Sequence, residues 1–142
     1  MEYLQEIEKF FEREPRFNVV LIKCWEAVPQ DQLSDSLDCE VVDLQNLAAT
    51  EPSLMEQISG YNDLINLITD LATKVENQRV LIHLDFALNG LDQGKRRYFF
   101  ESILQRSFPK SLILITNLFS DEVPDTKSQE FNYGKVIEWR SL

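Results

Sequence analysis

The chain has 142 residues, 44% of them hydrophobic, enough for one α/β domain (1–142) with a sizeable core and too few for two. Its formal net charge of -10 makes most of the surface repel nucleic-acid phosphate, so direct nucleic-acid binding is not expected. No apolar run reaches the ~18 to 20 residues that cross a bilayer, and 2 cysteines without CxxC spacing beside 1 histidine exclude a Cys/His zinc site.

The charge is unevenly placed. Residues 1–78 hold 5 Lys/Arg against 16 Asp/Glu, whereas residues 79–142 hold 9 against 8. The N-terminus, Met1 to Glu6, is acidic where a secretory signal is basic, so a cytoplasmic protein with reduced Cys24 and Cys39 is expected.

Residues 2–13 place Leu4, Ile7, Phe10 and Phe11 at helical spacing with glutamates outside, an amphipathic helix stopped near Pro15. Phe17 to Trp25, with Val19, Val20, Leu21 and Ile22 in sequence, predicts a first strand buried on both faces. In a nucleotide-binding α/β protein the next junction carries Gly-x-x-x-x-Gly-Lys-Ser/Thr, whose amides and lysine hold phosphate. Here Trp25 to Asp35 contains neither glycine nor lysine, and Glu26, Asp31 and Asp35 would each oppose a phosphate by about 4 kcal/mol at close approach and intermediate dielectric. Phosphate binding at this turn is not expected.

Cys39 to Leu44 predicts a short second strand, Pro52 to Ile58 a helical turn, and Asn62 to Val75 a helix whose Leu64, Ile65, Leu67, Ile68, Leu71 and Val75 cover a sheet. Val80-Leu81-Ile82-His83-Leu84-Asp85 predicts a buried third strand ending in a carboxylate that opens into a loop, the end at which open α/β sheets bind ligands. Lys95 to Ser107 predicts a helix with Tyr98, Phe99, Ile103 and Leu104 inward. Ser111 to Thr116, followed by Asn117, predicts a fourth strand; 118–134 a polar loop; and Lys135 to Trp139 a fifth strand at an edge. Strands alternating with helices predict a three-layer α/β sandwich with a mostly parallel sheet, in the order 5-1-4-3-2 or 2-1-3-4-5. Cys24 and Cys39 separate the two orders, because only neighbouring strands could bring them near.

An apolar strand ending in Asp85, a helix, and an apolar strand ending in Asn117 resemble the Walker B and sensor-1 strands of AAA+-type P-loop NTPases. The long helix before the third strand and the closing Tyr133 to Trp139 are similar to BrxF, the small P-loop family of BREX-type bacterial phage defence. The resemblance implies the 5-1-4-3-2 order and gives Asp85 and Asn117 vestigial Walker-B and sensor roles. The Walker A loop is missing, and Phe86 stands where an active ATPase has the glutamate that orients water. The implied relative is therefore degenerate and non-hydrolysing, with no cofactor.

Each of these residues also has a plainer reading. Asp85 fits a cap on nearby amides, Asn117 a turn former and His83 a hydrogen-bonded core histidine. Lys95, Arg96 and Arg97, in a helix's first turn, fit either a solvated face or a docking patch; Trp25, Trp139 and Phe119 fit core residues or interface anchors. The preferred expectation is a non-catalytic interaction subunit that docks on larger proteins of a phage-defence or DNA-transaction complex, with homo-oligomerisation open. The alternatives are a nucleotide-binding component completed by a partner, an acidic mimic of nucleic acid using Glu26, Asp31, Asp35, Asp38, Glu40 and Asp43, and, last, a phosphate-receiver domain.

Overall fold

The computed structural model describes residues 2–26, 30–124 and 134–140. Five parallel strands, β1 (Val19–Cys24), β2 (Cys39–Val42), β3 (Arg79–His83), β4 (Ser111–Thr116) and β5 (Lys135–Trp139), form one sheet in the order β2-β3-β4-β1-β5. That is the 5-1-4-3-2 order read from its other edge, and β5 is an edge strand. Cys24 and Cys39 consequently lie on strands separated by β4 and β3, and both are free, buried thiols.

The strands are continuously apolar because both faces are covered, and the two-residue period divides them cleanly. Val19, Leu21, Val80, Ile82, Leu112 and Leu114 point to one face. There they meet α3 (Leu44–Thr50), α5 (Tyr61–Lys74) and α7 (Gln93–Ile103). Val20, Ile22, Leu81, Ile113, Ile115 and Ile137 point to the other, against α1 (Glu2–Glu12) and α2 (Gln30–Leu37). Arg79 at the start of β3 ties this second layer down, donating to Glu8 Oε2 at 3.1 Å and to the Leu37 carbonyl at 3.0 Å. Tyr3 of α1 stacks on Trp139, centroids 4.6 Å apart, which places Trp139 in the core.

Several local expectations change. Most of the acidic stretch after β1 is helical, since α2 starts at Gln30. β2 stops at Val42 because the Asp43 carboxylate accepts the Asn46 amide at 3.1 Å and starts α3. Another short helix, α4 (Pro52–Glu56), precedes Gly60, where Asp63 reaches back to the Ser59 and Gly60 amides. β3 ends at His83, and Asp85 opens the single turn α6 (Asp85–Leu88) where a loop was expected. The helix predicted to run to Ser107 ends at Ile103, and Tyr98 is exposed: Phe99, Phe100 and Ile103 form its buried face.

Candidate functional site

The ends of β2, β3, β4 and β1 lie in a row along the C-terminal edge of the sheet, the edge at which open α/β sheets receive ligands. After β1 the chain passes through α2 on one face; after β4 it packs Val123 against the other. The crevice between β1 and β4 is therefore the topological switch point, and a phosphate loop would sit over it. Ser120, fully buried, closes it. Its hydroxyl lies 2.9 Å from the Cys24 carbonyl and 3.0 Å from that of Thr116, and it accepts the Cys24 amide at 3.1 Å. Beside it Asn117 Nδ2 donates to the Glu26 carbonyl at 2.8 Å. Both bonds bind the end of β1 to the turn after β4.

Asp85 and Asn117 do come together. The Asp85 carboxylate accepts the Thr116 hydroxyl at 2.6 Å, the Asn117 amide at 3.1 Å and the Leu118 amide at 3.0 Å, and His83 Nε2 lies 3.3 Å away. Burial pushes its pKa up, but the hydrogen bonds from His83, Thr116, Leu118 and Asn117 together outweigh it and hold the carboxyl down at about 2. His83 Nε2 also lies 3.0 Å from Asn117 Oδ1. With two oxygen acceptors before it, that nitrogen carries the proton, and the hydrogen bond to Asp85 raises the imidazole pKa against the effect of burial. The histidine is hydrogen-bonded as expected but is not a core residue, since its side chain is 44% exposed. It stands at the strand end, where helical cover stops.

A nucleotide with Mg²⁺ does not fit these residues. Ser120 and Asn117 tie the end of β1 to the turn after β4, the chain leaving β1 offers acidic side chains, and both Asp85 oxygens are already taken by protein donors. Among the described residues, no group of three or more His, Cys, Asp and Glu is arranged to hold a metal.

The basic triplet does not act as a unit. Arg96 is committed inward: Nε and Nη2 grip Glu122 at 2.7 and 2.9 Å, Nη1 bonds the Leu91 carbonyl, and the guanidinium sits 4.3 Å above the Phe119 ring. Phe119 thereby belongs to the core margin. Lys95 bonds the Ser59 carbonyl at 2.8 Å, and Arg97 is exposed without a hydrogen bond or ion pair among the described residues. The acidic residues named above are all exposed but are spread between β2 at one edge and β1, one strand in from the other, with Glu26 and Asp43 after the C-terminal ends of their strands and Asp38 and Glu40 at the N-terminal end of β2.

Sequence reasoning missed a cleft of about 390 Å³ over the ends of β2 and β3, lined by Gln30, Asp43, Gln45, Phe86, Asn89 and Leu118 together with the His83–Asp85 pair. The Asp85 end of β3 is marked in the sequence as a ligand-binding end, but Asp43, read as a strand residue, is not: an aspartate followed by Leu44 and Leu47 marks a helix start as well as a strand end.

No protein-family model matches this chain, and no curated protein matches it. No helix among the described residues is long and apolar enough to cross a membrane.

Proposed function

We propose that this protein is a non-catalytic interaction subunit on a degenerate P-loop-like fold, docking on a larger protein of a bacterial phage-defence or DNA-transaction complex. The observation that carries the reading is the Ser120 hydroxyl bridging β1 and the turn after β4, which ties together the two strand ends flanking the topological switch point. Asp85 supports it further, because its carboxylate serves as a structural acceptor for two amides and a hydroxyl. The phage-defence setting rests on the resemblance to BrxF in the long helix before β3 and the closing strand.

Two measurements test the reading. A ligand that binds only the folded state stabilises it by RT ln(1 + [L]/Kd), so millimolar magnesium-ATP is expected to leave the melting temperature unchanged. A shift of several degrees would instead make this a nucleotide-binding component. Affinity purification of the tagged protein from its native host is expected to retain a larger protein; recovery as a lone monomer would count decisively against an interaction subunit.

A further inference from the structure

Three of the four large hydrophobic side chains exposed among the described residues share one edge of the sheet; the fourth, Tyr98, lies on α7. Trp25, Phe86 and Leu118, 52%, 45% and 71% exposed, follow the ends of β1, β3 and β4. These strands are adjacent in the sheet, so at a strand spacing of about 4.8 Å the three positions span roughly 10 Å of the same edge. Phe86 and Leu118 also line the cleft.

The interior of that cleft offers one free carboxylate oxygen and three side-chain amides, each both donor and acceptor, beside His83, which Asp85 and Asn117 engage. The side-chain amides of Gln30, Gln45 and Asn89 have no hydrogen-bond partner among the described residues, and no Lys or Arg lines the space. Asp43 commits Oδ1 to the Asn46 amide and leaves Oδ2 unbonded. The Asp85 charge is answered by His83 and two amides, so Asp43 is the carboxylate left for a ligand.

We propose that this cleft is the docking point for a protein partner and receives one of its arginine side chains, an inference that rests on the interaction-subunit reading above. A guanidinium carries five N–H donors and no acceptor, matching one carboxylate oxygen and three amide oxygens, and its flat face stacks on a ring such as Phe86. A lysine offers three donors from a more strongly hydrated point charge and matches the set less well. The arginine belongs to a protein, because a free small cation would leave uncovered the exposed part of Trp25 beyond the cleft. The Trp25 Nε1 donates to Glu138, and its ring lies beside Arg140.

The test uses the blocked tripeptide acetyl-Leu-Arg-Leu-amide, its citrulline counterpart and ¹⁵N-labelled protein. The arginine peptide is expected to shift the side-chain amide signals of Gln45 and Asn89 saturably. Binding should weaken about tenfold for the neutral citrulline peptide and likewise for Asp43→Asn, which keeps the helix cap while removing the charge. Equal response to both peptides, no loss in Asp43→Asn, or shifts scattered over the acidic first half would overturn the proposal. Phe86→Ser, at an exposed position, provides a second variant. In the native host, a partner held by wild type and lost by Asp43→Asn and Phe86→Ser supports the site. A partner held by all three overturns the site and spares the interaction reading, whereas wild type recovered alone removes both.

Discussion

The Thr116 hydroxyl donates to Asp85 Oδ1 at 2.6 Å, joining the last residue of β4 to the first residue of α6, two positions after β3. With the Asn117 and Leu118 amides on the same carboxylate, Asp85 fixes the path of the chain across two strand ends.

Asp85→Ala is therefore expected to destabilise the fold by about 2–4 kcal/mol, since it strands two amides and a hydroxyl at a largely buried position. Asp85→Asn should cost less, because it keeps one acceptor oxygen. Urea unfolding at neutral pH measures both, and a loss below about 0.5 kcal/mol for the alanine variant would mean that the carboxylate is not a tether.

Stability should peak between about pH 4 and 6.5. Asp85 titrates at about 2 in the folded state, below its unfolded value near 3.9, so its contribution is present above the unfolded pKa and fades as pH falls toward 2. His83 is shifted the other way: its contribution is full below its unfolded value near 6.5 and is lost as pH rises through the raised folded value. His83→Gln should flatten the decline just above pH 6.5 while an acid decline persists; chemical denaturation across pH measures this, and an unchanged profile would refute the pairing.

Arg96 and Arg97 should part company. Arg96→Ala leaves Glu122 facing an unmatched, largely enclosed site and is expected to cost about 2–3 kcal/mol, and Arg96→Lys about 1, because an ammonium cannot reproduce the two-pronged grip. Arg97→Ala should stay within about 0.5 kcal/mol. Similar losses at both positions in urea melts would contradict the assignment.

The cysteines should be inert in the folded protein. Burial pushes Cys24 up to about 12 and Cys39 up to about 11, so neither supplies thiolate at neutral pH. Neither should react with a thiol reagent until the chain unfolds, and oxidation should not join them, because three strand spacings, roughly 14 Å, exceed the ~7 Å a disulfide spans. Rapid labelling of native protein, followed by mass spectrometry, would disprove this.

The sheet was legible because burial on both faces leaves no room for polar residues in Val19–Ile22, Val80–Ile82 and Leu112–Ile115. The apolar strands by themselves narrowed the order to two alternatives, since they read alike in either; the likeness to P-loop NTPases favoured 5-1-4-3-2, the order observed. Asp85 and Asn117 stood out because polar residues terminate those runs. Ser120 did not, because a serine bridging to a carbonyl 96 residues away has no local pattern. Tyr98 was misread because it neighbours the buried Phe99–Phe100 pair, and one residue of rotation, about 100°, turns it to solvent.

The serine bridge also bears on attempts to build a phosphate site at this edge. Grafting a glycine- and lysine-bearing segment behind β1 would supply phosphate donors to a space already threaded by side chains from across the sheet. Removing the serine as well would leave the Cys24 amide and carbonyl seeking new partners within the core. Engineering nucleotide chemistry at this edge thus passes through a weakened fold, which single substitutions would not avoid.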